Sequence, residues 1–273
     1  MSKCEACGSC NSCKYHGEST FYQKDADTPV IALLGQPNSG KSTIFNLITG
    51  SHQHVGNWPG KTVDQKEGEF HLNGKRMILA DLPGSYSLSA DSDEEVITEA
   101  YIRNGNADLV LVMADASQLK RSLYMLADFV GSQIPAVLVL NMMDVAKGQG
   151  IQINIDKLSD KLGIPVIPMS AIRKKDYKRL YDAIEIGLRD QLIISHEKMD
   201  SVAEKIHFID TLLSDVVTAS KTQQRAYSKF DRIALSPVKG KLIAFGIVLA
   251  VFLVAMIFSG VIGGLVSVLL TII

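Results

Sequence analysis

The chain predicts an α/β fold with a mainly parallel sheet, a short helical appendage and one C-terminal transmembrane helix. Three observations carry this expectation. From about residue 29 to 190, short apolar, β-branched runs alternate with segments of helical spacing, the pattern of βαβ units. Between the first such run and the first such segment stands Gly35-Gln36-Pro37-Asn38-Ser39-Gly40-Lys41-Ser42, a complete GxxxxGK[ST] loop. From Leu242 to Ile273 the chain has only apolar, Gly, Ser and Thr residues.

The elements follow in order. Residues 29–34 read as a buried strand, and 43–48, beginning at Thr43, as the helix that the glycine loop opens. Residues 63–72 and 75–80 flank Asn73-Gly74, the strongest short hairpin signal, and are expected to pair as a β-hairpin. Further strands are expected at 109–114, 136–140 and 166–169. Helices are expected at 94–103, 122–130, 155–162 and 177–189, and a mostly helical segment at about 195–225. The zones are a cysteine-rich tip and polar tether (1–28), an α/β body (29–190), a helical segment (191–235) and a transmembrane helix (242–273).

Composition narrows the function classes. The 273 residues hold 28 Lys+Arg against 29 Asp+Glu, a balance that argues against nucleic acid as the partner. The N-terminus is polar, with no apolar core of a signal peptide. A membrane-spanning helix needs roughly 20 apolar residues, so the C-terminal run is long enough to cross a lipid bilayer once. Lys229, Arg232, Lys239 and Lys241 precede it against Asp231, which places the body on the cytoplasmic side of the cell membrane. Gly260 and Gly264 form a GxxxG at which another helix, in a homo-oligomer for example, could approach closely; a lipid-facing role is the alternative.

All four cysteines fall at Cys4, Cys7, Cys10 and Cys13. Four thiolates so spaced can wrap one soft metal, either Zn²⁺ or an iron–sulfur cluster. The ferredoxin run has a longer last gap and a following Pro, both absent here, and unliganded or redox-active thiols are the other reading.

The remaining motifs define a nucleotide site. Successive backbone N–H groups of residues 35–43 can face one phosphate, with Lys41 reaching the outer phosphates and the Ser42 hydroxyl holding Mg²⁺. Asp81-Leu82-Pro83-Gly84 ends the second hairpin strand: Asp81 can orient Mg²⁺, and the Gly84 N–H can meet a γ-phosphate. Asn141-Met142-Met143-Asp144 follows the strand at 136–140; the Asp144 carboxylate can accept from guanine N1 and N2, which selects GTP and GDP over adenine nucleotides. Met142 stands where Lys is usual. Ser170-Ala171 can offer a backbone contact to the guanine carbonyl. In Gly60-Lys61-Thr62-Val63-Asp64, Thr62 is the candidate switch I threonine, closing on Mg²⁺ and the γ-phosphate.

These motifs carry a specific resemblance. The string from Gly35 to Gly68, with PNSGKST, VGNWPG, KTV and KEG, resembles the G domain of the ferrous iron transport protein B family, FeoB. So do residues 81–88, Asn141-Met142-Met143-Asp144 and residues 162–168. The resemblance implies a P-loop GTPase of the Ras-like (TRAFAC) class that switches with nucleotide state to gate or regulate Fe(II) uptake across a prokaryotic inner membrane. It implies a mobile switch I around Trp58, and K⁺ held beside the phosphates by Asn38 in place of an arginine finger. With Ser85 after the Asp81–Gly84 motif instead of a catalytic Gln, hydrolysis is expected to be slow. The family's partners are membrane-embedded permease segments or subunits and small Feo accessory proteins. Residues 191–235 leave room for roughly half of the family's helical module, and the chain ends within or just after the first of many membrane helices, as expected of a truncated or split form. The alternative is a membrane-tethered regulatory GTPase that senses metal or redox state through its cysteine tip and does not itself transport.

Overall fold

The computed structural model describes residues 28–50, 53–58, 63–88, 92–170, 176–219, 236 and 239–272. The elements in order are β1 (Val30–Gly35), α1 (Lys41–Thr49), β2 (Gln53–Asn57), β3 (Asp64–Leu72), β4 (Lys75–Asp81), α2 (Asp93–Arg103), β5 (Leu109–Asp115), α3 (Leu119–Phe129), β6 (Ala136–Asn141), α4 (Met143–Gly148), β7 (Ile151–Ile153), α5 (Ile155–Leu162), β8 (Val166–Pro168), α6 (Tyr177–Asp190), α7 (Val202–Leu213), β9 (Val217–Ala219) and α8 (Lys239–Ile272). The chain divides between Thr222 and Gln223 into two compact units.

In the first unit, a seven-stranded sheet has the order β2-β3-β4-β1-β5-β6-β8. β4, β1, β5, β6 and β8 run parallel, while β2 and β3 form an antiparallel edge. β1, β5 and β6 are apolar and almost wholly buried because both faces are covered, the usual condition of a parallel sheet. Alternation along β1 sends Ile31 and Leu33 into one cluster with Ile44 and Phe45 of α1 and Leu180 and Ile184 of α6. Ala32 and Leu34 enter the other, with Ile97 of α2, Leu123 and Leu126 of α3, Leu158 of α5 and Ile209 of α7.

Local chemistry sets the boundaries. Asn73 (φ 50°) and Gly74 (φ 78°) are both left-handed, as a two-residue type I′ turn requires, and β3 pairs with β4 up to Leu72 opposite Lys75. The Ser92 side chain accepts from the Glu95 N–H at 3.2 Å and that of Asn154 from the Lys157 N–H at 3.0 Å, capping α2 and α5. Ser201 and Glu204 form a capping box at α7.

The expected helical segment at 195–225 is corrected in part. Within its described residues α7 covers Val202–Leu213, and Val217–Ala219 pairs antiparallel with β7, Ile151 opposite Ala219 and Ile153 opposite Val217. Valine and threonine suit an extended strand, and the partner lies more than sixty residues upstream, out of reach of any local pattern. β2, α4 and β7 likewise add to the expected elements.

The second unit contains α8. Its stretch Lys239–Gly260 is, among the described residues, the one helix long and apolar enough to cross a membrane. The cysteine tip, Gly60, Lys61, Thr62 and Ala171 lie outside the described residues.

Candidate nucleotide-binding site

The parallel strands β1, β4, β5, β6 and β8 end on one edge of the sheet, where open α/β folds bind ligands. There the chain places Gly35, Asp81, Asp115, Asn141 and, after β8, Ser170. The loop after β1 is tightly shaped. A Cβ at Gly35 would stand 2.7 Å from the Met113 carbonyl oxygen, so only glycine lets the turn lie on β5. Asn38 (φ 64°) takes a left-handed conformation that asparagine tolerates. Gly40 (φ 95°) is left-handed too, and a Cβ there would meet the Asn141 side-chain nitrogen at 2.1 Å.

Asn141 therefore has a task that its motif did not reveal. Its Nδ2 donates to the Ser39 carbonyl at 2.9 Å, in a buried bond between the end of β6 and the phosphate loop. Asp144 lies in the first turn of α4, behind Met142 in a left-handed conformation (φ 60°). The Ser170 Oγ donates to Asp144 Oδ1 at 2.8 Å, and the Ser170 N–H donates to Asp176 Oδ2 at 3.1 Å. The segments after β6 and β8 are thus joined, with the carboxylate of Asp144 oriented by a buried serine.

Lys41 and Asp81 face one another across the loop, both buried. Burial pushes the Lys41 ammonium down, with Asp81 opposing that shift. Burial pushes the Asp81 carboxyl up, opposed by Lys41, by Lys66 and by the Ser42 hydroxyl, which donates to Oδ2 at 3.5 Å. Asp81 Oδ1 is buried with no hydrogen-bond partner among the described residues. A buried, half-satisfied carboxylate beside a hydroxyl is the donor set that a hard cation such as Mg²⁺ prefers, so these residues fit the implied metal.

Leu82 is buried, and Gly84 lies against the phosphate loop: a Cβ there would stand 3.2 Å from Lys41 Nζ. Ser85, where a catalytic glutamine is absent, is 3% exposed. Of the expected switch I residues, Val63 and Asp64 are described. The Trp58 N–H donates to the Val63 carbonyl at 2.9 Å, and the indole is 6% exposed, edge-on to Tyr101 with 5.7 Å between ring centres. The Trp58 indole thus packs in the apolar cluster that also holds Ile97 and Tyr101 of α2.

Sequence reasoning overlooked two further links, the Asp128 bridge and the Gln36–Arg121 bond. Asp128 of α3 accepts from the Leu88 N–H at 2.9 Å through Oδ2, and pairs through Oδ1 with Lys205 Nζ of α7 at 2.5 Å. The loop that follows Asp81–Gly84 is thereby tied to the appended helix. Gln36 Nε2 donates to the Arg121 carbonyl at 2.8 Å. No motif marks either link, because each joins residues far apart in the chain.

Known proteins resemble the chain in the same region. The family profile described as Ferrous iron transport protein B matches residues 29–184. The Fe(2+) transporter FeoB of Escherichia coli is 40% identical over 195 residues, 70% of this chain and 24% of that protein. The Fe(2+) transporter FeoB of Salmonella typhimurium is 40% identical over 189 residues, 68% and 23% of the two chains. The chain thus spans about a quarter of the length of these relatives. Among solved structures, the cytosolic domain of L. pneumophila FeoB is similar with a TM-score of 0.63 at 29% identity, covering 69% of this chain and 99% of that one. The GMPPNP form of the T. maritima FeoB cytosolic domain gives 0.59 at 35% identity, covering 69% and 75%. A GDP-bound mutant of the S. thermophilus FeoB G-domain gives 0.54 at 44% identity, covering 57% and 60%. The P-loop fold, the clustering of the motifs on one sheet edge and these likenesses agree: the chain belongs to the ferrous iron transport protein B family and carries its G domain.

Proposed function

We propose that the chain binds GTP and GDP with Mg²⁺, hydrolyses GTP, and serves as the nucleotide-driven switch of a ferrous iron uptake system in a prokaryotic inner membrane. One observation carries this reading. The phosphate loop, the Asp81 carboxylate and the Ser170-held Asp144 converge on a single sheet edge.

Each residue has a defined task in this reading. The backbone N–H groups of the loop from Gly35 to Thr43 cradle the phosphates, aided by the N-terminal dipole of α1. Lys41 stays charged once phosphate oxygens replace the water that burial removes, and it neutralises charge developing on the transferred group. Ser42, Asp81 and Thr62 would hold Mg²⁺, which supplies Lewis-acid charge stabilisation. Asp144 accepts the guanine N1 and N2 protons, with Ser170 and Ala171 beside the base. Asn38 would hold K⁺ beside the phosphates. The buried Ser85 leaves water to be positioned by backbone groups, hence slow turnover. Nucleotide-dependent movement near Gly84 would reach α7 through Leu88, Asp128 and Lys205, and permease segments or subunits would form the Fe(II) path. The body faces the cytoplasm, anchored by α8.

Phosphate release from GTP by the full chain tests this reading. Lys41→Ala is expected to abolish it, and the rate is expected to rise in K⁺ over Na⁺. A Lys41→Ala protein that hydrolyses GTP normally contradicts the assignment, and equal rates in the two salts contradict the role of Asn38.

A further inference from the structure

The stretch after β4 is held from two sides. On one side, Gly84 rests on the phosphate loop; a Cβ there would also lie 3.3 Å from the Pro37 Cα. On the other, the Arg121 guanidinium carbon stands 5.2 Å from the centre of the Tyr86 ring, within cation–π range. Arg121 is itself fastened to the phosphate loop, because its carbonyl accepts from the buried Gln36 side chain at 2.8 Å. Loop, helix α3 and Tyr86 together line a polar cavity of about 120 Å³.

The chemistry of this corner is specific. Tyr86 is 50% exposed, so apolar burial does not hold it. A planar guanidinium suits an aromatic face, and the Arg121 backbone that carries it is tied to the phosphate loop by the Gln36 bond. Ser85, the single residue between Tyr86 and Gly84, is buried, so the segment that joins them is short and packed.

We propose that Arg121 is a positioning residue for GTP hydrolysis: by stacking on Tyr86 it holds Gly84 against Lys41, where the Gly84 N–H meets the γ-phosphate. This inference rests on the GTPase reading above. Arg121 touches neither phosphate nor metal in this role; it sets the geometry of the loop that does.

Steady-state GTP hydrolysis and GDP binding by the full chain in lipid nanodiscs test it. The proteins compared are the unsubstituted chain, Arg121→Ala, Tyr86→Ala, the double substitution and Tyr86→Phe. Each alanine variant is expected to lose about two- to fivefold in kcat, the scale of an exposed cation–π contact, with KM and GDP affinity held. The double variant should be no slower than either single one, because both remove the same contact. Tyr86→Phe, which keeps the ring, should restore the rate. An unchanged kcat in Arg121→Ala, multiplicative losses in the double variant, or a matching fall in GDP affinity would each overturn the proposal. Absence of hydrolysis by the unsubstituted chain would contradict the GTPase reading itself, a result distinct from all of these.

Discussion

The Asn141 side chain donates to the Ser39 carbonyl at 2.9 Å, across 102 residues of sequence. A residue of the Asn141–Asp144 motif thus props the phosphate loop, and Gly40 must lack a Cβ to admit it. The two halves of the site share one buried bond, so a change in either is felt by the other.

Asn141→Ala leaves a buried carbonyl without its donor, a loss of about 1–3 kcal/mol. The expected outcome is a lower Tm for the nucleotide-free protein together with weaker binding of GDP. Thermal unfolding and calorimetric titration check both. Loss of base selectivity with unchanged stability would show that Asn141 acts on the base alone.

Asp128→Ala breaks both the Leu88 and the Lys205 contacts and leaves a half-buried ammonium unpaired. Breaking a buried pair by removing one partner costs about 3–5 kcal/mol, and partial exposure of Lys205 places this case at the lower end. Asp128→Asn keeps an oxygen for the Leu88 N–H and should recover part of the loss. Urea denaturation of the three proteins measures this order; equal stability of all three would refute the link.

Asp215, two residues past the end of α7, binds Lys157 at 3.1 Å and also Lys161, both on α5. Hydrogen bonds from Lys161 and then Lys157 hold its carboxyl down to about 2. A depressed carboxyl favours the folded state above the ordinary carboxylate range, and that contribution is lost as pH falls through about 2. Asp215→Asn should therefore flatten the acid limb of the stability curve below the ordinary carboxylate range and leave its shape above pH 6 unchanged. The pair is solvent-exposed, so the effect at neutral pH is small. Acid titration followed by circular dichroism reads the difference, and superimposable curves would exclude Asp215 from the acid transition.

Much of this fold was legible in the sequence because its signals are local. Asn73-Gly74 predicts its hairpin through the φ > 0 that both residues must adopt. The apolar runs of β1, β5 and β6 predict strands buried on both faces. β2 escaped because its residues, Gln53 to Asn57, form an edge strand with one large apolar side chain, Val55, which is 61% exposed. β7 and β9 are three residues each and owe their form to one another. α4 hides behind the left-handed Met142, where no capping side chain announces a helix. The site divides in the same way: spacing marks Lys41, Asp81 and Asp144, while the Asn141–Ser39 bond, the Asp128 bridge and the Arg121–Tyr86 stack arise only when distant segments meet.

Recognition of guanine by Asp144 is the central proposal. Calorimetric titration of the full chain and of Asp144→Asn with GDP and with XDP tests it, since xanthine carries an acceptor oxygen where guanine carries its N2 amino group. The unsubstituted chain is expected to bind GDP and not XDP. Asp144→Asn should reverse that preference, with GDP affinity falling by about a hundredfold as two charge-assisted hydrogen bonds are lost. Undiminished GDP binding by Asp144→Asn would contradict the account.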